Sequence, residues 1–149
     1  MVSVAVSSLG HTDLFFIDQD TKVNGRYYRD VLLHQQLLPA IHDLSGDFFT
    51  FQQDNTPVHR ACETVQLLTC EIPDFIAPAL WPANNPYLNP VDYQTWHCSQ
   101  MHDVDQLKLR LIKEWEHFHQ VFINEAIRQW RPRLRACIRA HGEHFEHRL

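Results

Sequence analysis

The sequence predicts a single α/β domain, and three observations support this fold class. Short apolar runs alternate with longer segments of helical periodicity, in the order strand, strand, helix, strand, helix, strand, helices. The chain of 149 residues has the length of one domain, and 44% of its residues are hydrophobic, which is enough for a core. No internal repeat or low-complexity segment interrupts it. We therefore expect a mixed sheet flanked by helices over 1–149, with a helical C-terminal part over 103–149.

The first two strands are predicted to form a hairpin. Residues 2–7 (VSVAVS) alternate valine with small residues, and residues 13–18 (DLFFID) form a second short apolar run. Gly10 lies between the two runs and suits a tight turn.

A helix follows the hairpin. Asn24 is a plausible N-cap, and residues 25–44 carry apolar side chains at helical spacing. Pro39 lies inside this segment and is expected to end or kink the helix, because proline has no amide hydrogen to donate.

The next elements alternate between strand and helix. Residues 48–53 predict the third strand, 58–70 a helix and 74–80 the fourth strand. The stretch 81–90 is rich in proline and asparagine and predicts a loop, after which 91–100 is expected to be helical.

The remainder is predicted to be α-helical. Asp103 followed by Gln106 resembles a capping box, and Pro132 interrupts the last helix. Each helix has one apolar stripe at helical spacing: Leu107, Leu111, Trp115 and Phe118 in the first, and Ile127, Trp130, Leu134 and Ile138 in the second.

Charge and composition exclude several classes of protein. The net charge is −5, divided into about −7 over residues 1–100 (4 Lys+Arg, 11 Asp+Glu) and +2 over residues 101–149 (9 Lys+Arg, 7 Asp+Glu). A uniformly basic nucleic-acid binder is therefore excluded. No apolar run is long enough for a membrane span, no signal peptide is indicated, and the four cysteines form no zinc-binding pair. We expect an intracellular protein.

Two aspartates are the candidate chemical groups. Asp54 closes the third predicted strand, and Asp92 follows the proline-rich loop, with 37 residues between them. The carboxyl ends of neighbouring strands lie at one edge of an α/β sheet, so the two acids can meet there. Paired carboxylates repel each other unless a cation lies between them, and Mg²⁺ accepts one or two carboxylates together with a substrate phosphate. The alternative is that Asp54 is a solvent-facing turn residue.

Two motifs carry a resemblance to a known family. "FQQDNTPVHRA" followed by "LWPANNPYLNPVDYQTW" resembles the catalytic domain of mariner-superfamily transposases, and the likeness extends over almost all the chain. It implies a ribonuclease-H-like fold with a metal-binding triad of acids, in which Asp54 is the second acid and Asp92 the third. It also implies Asn55 as a residue supporting the metal ligand and His59 as a helix-start residue near the site.

The resemblance carries further functional expectations. It implies DNA as the partner, Mg²⁺ or Mn²⁺ as the cofactor, location in the nucleus, and descent from an enzyme of DNA cleavage and strand transfer. A homodimer or a complex with full-length transposase is a possible assembly, and no membrane or small-molecule substrate is expected.

The sequence also departs from the family pattern. Family members carry the first acid on a central strand before the hairpin, and we expect that strand and a helix-turn-helix region to be absent here. Asp13 and Asp18 flank another strand and are poor substitutes for the missing acid. We therefore expect weak metal binding, no or very slow cleavage, and either a sheet separated into two parts or a hairpin shifted inward to close the gap.

Other features leave alternatives open. Four arginines recur at intervals of 3, 4 and 4 on one helical face and suit either phosphate contact or simple solvation: Arg128, Arg131, Arg135 and Arg139. Two histidine groups are weak metal candidates: His141, His144 and His147, and His97, Cys98 and His102. The chain is thus an inactive DNA-processing domain, a non-catalytic module that binds DNA or protein through its arginine-rich helix, or an unselected transposon relic.

Overall fold

The structure is a computed structural model that describes residues 1–78, 88 and 103–141. The expected α/β class is confirmed: within these residues three two-stranded sheets are combined with helices. The elements are β1 (Val2–Ser3), β2 (Val6–Ser7), β3 (Gly10–His11), β4 (Phe15–Phe16), α1 (Gly25–Tyr27), a π-helical segment (Tyr28–Leu37), α2 (Leu38–Ser45), β5 (Thr50–Gln52), α3 (Cys62–Glu71), β6 (Asp74–Ile76), α4 (Val104–Glu116) and α5 (Gln120–Arg139).

The predicted hairpin is present, although its second strand begins earlier than residue 13. β1 pairs antiparallel with β4, and β2 pairs antiparallel with β3, which already starts at Gly10. Between the two pairs the Thr12 amide donates to the Ala5 carbonyl at 2.9 Å, and the Ala5 amide donates to the Thr12 hydroxyl at 3.0 Å. The Thr12 hydroxyl thus takes the place of the Thr12 carbonyl as the acceptor for the Ala5 amide. The antiparallel ladder is therefore divided into two short pieces.

The helix after the hairpin begins at its predicted cap. The Asn24 side chain accepts a hydrogen bond from the Tyr27 amide at 2.9 Å. Pro39 does not end the helix. Instead, the wider π register of Tyr28–Leu37 precedes it, with the Leu38 amide donating to the Leu33 carbonyl five residues back. We attribute the register to Pro39, whose ring clashes with the carbonyl four residues before it in an α-helix.

Strands β5 and β6 form a parallel pair in which Phe51 lies opposite Phe75. Because the strands are parallel, their carboxyl ends lie at the same edge. The helix between them starts at Cys62 rather than at residue 58, and residues 57–60 form turns. The predicted loop 81–90 lies outside the described residues except for Leu88, and the predicted helix 91–100 lies outside them entirely.

The two C-terminal helices pack on the hairpin. Asp103 caps α4 as predicted, but its side chain accepts from the Asp105 amide at 3.1 Å and not from Gln106 as in a capping box. The indole nitrogen of Trp115 donates to the Thr12 carbonyl at 2.9 Å, and the Gln120 side chain of α5 donates to the Ser7 carbonyl at 2.8 Å. Pro132 lies inside α5 without ending it.

The buried face of α5 agrees with the predicted stripe in part, since Trp130 and Leu134 pack against the buried cluster. Ile138 is 63% exposed, whereas the neighbouring Cys137 is fully buried. The buried side is rotated by about one residue and is rich in small side chains, which allow close packing: Ile123, Ala126, Arg133, Ala136, Cys137 and Ala140. Leu88 is fully buried against Ala136, Cys137 and Ala140 of this side.

One apolar cluster joins the hairpin, the π-helical segment, α3 and the strands β5 and β6. Leu33 and Leu68 are completely buried within it. Ala5 of the hairpin and the aromatic rings of Phe51 and Phe75 pack against its edge. These elements therefore form one core even though their strands belong to separate sheets.

The predicted separation of the sheet is confirmed within residues 1–78, because no hairpin strand pairs with β5. The odd-numbered residues of the first strand bond to their hairpin partner: Met1 accepts from Ile17, and Ala5 accepts from Thr12. The main-chain groups of Val4 and Val6 therefore point to the opposite edge, where no hydrogen bond to any described residue is made.

Hydrogen exchange is expected to reveal this free edge. The amides of Val4 and Val6 should exchange at least about tenfold faster than those of Thr12 and Ile17, which are bonded across the hairpin. The measurement is residue-resolved amide exchange on a monomeric sample, with the two bonded amides as internal controls. Equal protection of both sets would show that the hairpin has a partner strand on its outer edge.

Candidate functional site

Asp54 lies at the carboxyl end of the parallel pair. Strand β5 ends at Gln52, Gln53 is buried behind it, and the Asp54 side chain retains 32% of its exposure. The predicted position of Asp54, directly after the end of a strand, is therefore confirmed. A carboxylate held by a strand on one side and accessible to solvent on the other is suited to bind a ligand from outside.

Two hydrogen bonds hold one oxygen of this carboxylate. His59 Nδ1 lies 2.5 Å from Asp54 Oδ1, and the Thr56 amide donates to the same oxygen at 3.1 Å. The bond from His59 lowers the pKa of Asp54 most, the Thr56 amide lowers it further, and partial burial of the carboxylate opposes both. Asp54 is therefore ionised at neutral pH, and Oδ2 accepts no hydrogen bond from the part of the chain that the structure describes.

A buried polar chain stands behind Asp54 and His59. The Tyr28 hydroxyl donates to Gln53 Oε1 at 2.6 Å, and Gln53 Nε2 donates to the His59 carbonyl at 3.1 Å. The rings of Tyr28 and His59 are in contact, with centroids 4.3 Å apart. Burial raises the pKa of Tyr28, and the charge of Asp54 raises it further, so the hydroxyl stays protonated and donates.

Sequence reasoning missed Tyr28 and Gln53 as site residues. Tyr28 precedes Gln53 by 25 residues, and its neighbours Tyr27 and Arg29 give no sign of the contact between them. The available signal was a second glutamine directly before the acid, at a position that proves to be buried.

The other predicted site residues are distributed as follows. His59 contacts Asp54, but it lies in the turn before α3 and not in the first turn of the helix. Asn55 is half-buried and makes no hydrogen bond to any described residue, so its supporting role stays a prediction. Asp92 lies outside the described residues. Asp13 and Asp18 are both exposed on the hairpin.

The donor set fits a divalent cation in part. Asp54 supplies one ionised carboxylate, and carboxylate oxygens are the kind of ligand that Mg²⁺ and Mn²⁺ take. Within residues 1–78 and 103–141 no three metal-binding side chains come together. Asp92, the second predicted carboxylate, lies outside the described residues, so its part in a two-acid site stays a prediction.

The four predicted arginines lie on the exposed side of α5, whereas Arg133 is buried on the other side. Arg128 pairs with Glu125 at 3.7 Å, and Arg139 Nε donates to the Arg135 carbonyl at 3.2 Å. Arg131 and Arg135 are exposed between them. His141 is exposed in the turn after α5, and His144 and His147, like His97, Cys98 and His102, lie outside the described residues.

Comparison of the fold with solved structures identifies its class. The fold is that of ribonuclease-H-like domains, as the sequence resemblance implied, with an acid at the carboxyl end of the parallel pair. More particularly, it is the fold of the Mos1 mariner transposase catalytic domain. The crystal structure of that domain superimposes with a TM-score of 0.72 at 19% sequence identity, covering 97% of this chain and 75% of the Mos1 chain.

Two further Mos1 structures agree. The Mos1 mariner paired end complex with Mn gives a TM-score of 0.78 at 21% identity, and the superposition covers 97% of this chain. This chain spans 44% of the length of that Mos1 chain. The Mos1 transposase catalytic domain with Raltegravir and Mg gives a TM-score of 0.77 at 19% identity, covering 97% of this chain and 76% of the Mos1 chain. No protein-family model and no curated protein sequence matches the chain.

None of the helices in residues 1–78 and 103–141 has both the length and the apolar character that a bilayer span requires.

Proposed function

We propose that this chain is a transposase-derived DNA-processing domain in which Asp54 binds a divalent cation at a DNA phosphodiester. The observation that carries the proposal is the position of Asp54: it is an ionised carboxylate at the carboxyl end of the parallel pair, with Oδ1 held by two hydrogen bonds and Oδ2 accepting none from the described residues. The fold shared with Mos1 structures that contain Mn and Mg supports the choice of cation and of DNA.

The residues have distinct parts in this proposal. Asp54 and Asp92 would hold Mg²⁺ or Mn²⁺, and such an ion stabilises charge on the attacking and leaving oxygens of a phosphodiester. His59 and the Thr56 amide keep the Asp54 carboxylate ionised and oriented at neutral pH. Residues 1–100 are acidic and carry few lysines, so they would repel an anionic substrate. A bound cation would offset this repulsion.

Binding is proposed to be weak and cleavage absent or very slow in this 149-residue polypeptide. Asp54 and Asp92 provide two acids, one fewer than the triad that the family motif implies. A second copy or a full-length transposase could supply further ligands. The expected site of action is the nucleus, where the DNA lies.

A Mn²⁺ titration tests the proposal. Paramagnetic broadening of amide signals should begin in residues 53–59 and spare Asp47, which lies before the opposite end of β5. No broadening of 53–59 at millimolar Mn²⁺ would contradict the role of Asp54. Nicking of supercoiled DNA that depends on Mn²⁺ or Mg²⁺ and is lost in Asp54→Asn would overturn the proposed inactivity.

The exposed arginine face of α5 favours a second candidate function, which is non-catalytic binding of DNA or an acidic protein. Arg128, Arg131, Arg135 and Arg139 all lie on the solvent side of this helix, where guanidinium groups can reach phosphates. This function requires neither Asp54 nor a cation, so the two candidates can be separated.

We expect the double substitution Arg131→Gln and Arg135→Gln to weaken DNA binding and its salt dependence. Each lost phosphate contact should reduce the slope of log K against log salt by about 0.9. The measurement is fluorescence anisotropy of a labelled duplex over a range of salt concentrations, in the presence of a chelator. Lys113→Gln on α4 is the matched control. An unchanged slope in the double variant would remove this face from the DNA contact.

A further inference from the structure

We propose that Tyr28 and Gln53 are positioning residues that select the metal-binding oxygen of Asp54. They act through His59 and contact neither the cation nor DNA. The inference rests on the proposed function of Asp54 and extends it to a buried hydroxyl in the π-helical segment, 26 positions before the acid in the sequence.

The first step is the orientation of the Gln53 amide. The His59 carbonyl can only accept, so the nitrogen of the amide must face it, at 3.1 Å. The amide oxygen then faces the Tyr28 hydroxyl, which donates at 2.6 Å. Tyr28 is 5% exposed and Gln53 9%, so water does not replace either partner readily.

The second step is the shape of the loop that carries Asp54. Gln53 directly precedes Asp54, and its side chain reaches the main chain of His59, so one amide joins both ends of residues 53–59. The Thr64 hydroxyl of α3 holds the Val58 carbonyl at 3.2 Å, which fixes the same turn from the other side. The loop is thereby closed around the acid.

The third step is the direction of the His59 ring. The ring packs on the Tyr28 ring and directs Nδ1 to Asp54 Oδ1 at 2.5 Å. A carboxylate accepts, so Nδ1 carries the hydrogen. Oδ1 is thus occupied by His59 and the Thr56 amide, and Oδ2 is presented to the cation. Partners that orient a ligand in this way commonly control metal affinity.

The substitution Tyr28→Phe isolates the hydroxyl, because the ring and its packing remain. NMR of the metal-free protein should show the Nδ1-bound hydrogen of His59 as a protected signal in the wild type and exchanging at least about tenfold faster in Tyr28→Phe. Mn²⁺ affinity should fall roughly three- to tenfold, less than the ~10–100-fold typical of a group that touches the ligand directly.

Two further variants complete the experiment. Tyr27→Phe is the matched control, because the neighbouring Tyr27 hydroxyl makes no hydrogen bond within the described part of the chain, and it should change neither readout. Gln53→Met removes both hydrogen bonds of the Gln53 side chain while Tyr28 stays intact, and it should reproduce the loss of the His59 signal.

The outcomes separate this inference from the proposed function. A His59 signal that is unchanged in folded Tyr28→Phe and Gln53→Met overturns the positioning role, even if both variants are less stable. Failure of Mn²⁺ to bind the wild type contradicts the proposed function instead, and the metal-free NMR result still decides whether Tyr28 holds His59.

Discussion

Replacing Asp54 with asparagine is expected to weaken Mn²⁺ binding by at least about tenfold, or ~1.4 kcal/mol. The amide keeps the shape of the carboxyl group, and its oxygen can still accept from His59 and from the Thr56 amide, as Oδ1 does. The position of Oδ2 is then taken by an amide nitrogen, which carries hydrogens and no charge. The variant should therefore fold normally and lose only the cation ligand.

Asp47→Asn provides the matched control for this measurement. Asp47 is an acid close to the other end of β5, its side chain is 89% exposed, and its partner is His42 at 3.3 Å. The substitution should leave Mn²⁺ affinity unchanged when both proteins are titrated by electron paramagnetic resonance. Equal affinities of wild type and Asp54→Asn would place the cation elsewhere in the chain.

The features that the sequence predicted well are those determined by neighbouring residues. Asn24 and Asp103 cap helices because a short side chain reaches an amide two or three residues ahead, and both caps are visible as residue types. The acid at the end of β5 was predictable in the same way, because a run rich in phenylalanine changes to polar residues at Gln52–Asp54.

The features that the sequence did not predict depend on contacts between distant segments. The direction of the Gln53 side chain is set by Tyr28, which lies on another element, and no local pattern encodes that pairing. The buried face of α5 was predicted only in part, because its most buried positions carry small residues such as Ala136 and Cys137, whose size permits the closest packing. The π register before Pro39 relieves the clash of the proline ring with the carbonyl four residues earlier while the helix stays packed on the core. Amino-acid composition does not reveal that outcome.

The separated sheets explain why the core has to carry the stability of this fold. A parallel pair of three-residue strands and a short hairpin are each marginal in water. What joins them is the shared apolar cluster on the π-helical segment and α3. The loop that presents Asp54 lies between β5 and α3, so its geometry depends on the same cluster.

We expect Leu68→Ala to destabilise the folded chain by about 2–5 kcal/mol, a large share of the ~5–15 kcal/mol typical of a domain. Leu68 is completely buried on α3, in the cluster that supports β5, β6 and the hairpin. Removing its side chain both loses apolar burial and leaves a cavity among elements that have few hydrogen bonds between them. The measurement is the free energy of unfolding in urea.

Leu109→Ala is the matched control, since the same atoms are removed from a leucine that is 69% exposed on α4. Its effect should stay within about 0.5 kcal/mol. If Leu68→Ala unfolds with the same midpoint as Leu109→Ala, the shared cluster does not hold the parallel pair in place. If Leu68→Ala is destabilised as expected and loses cooperative unfolding, the protected His59 hydrogen should be lost as well. The reason is that α3 anchors the turn that directs the His59 ring toward Asp54.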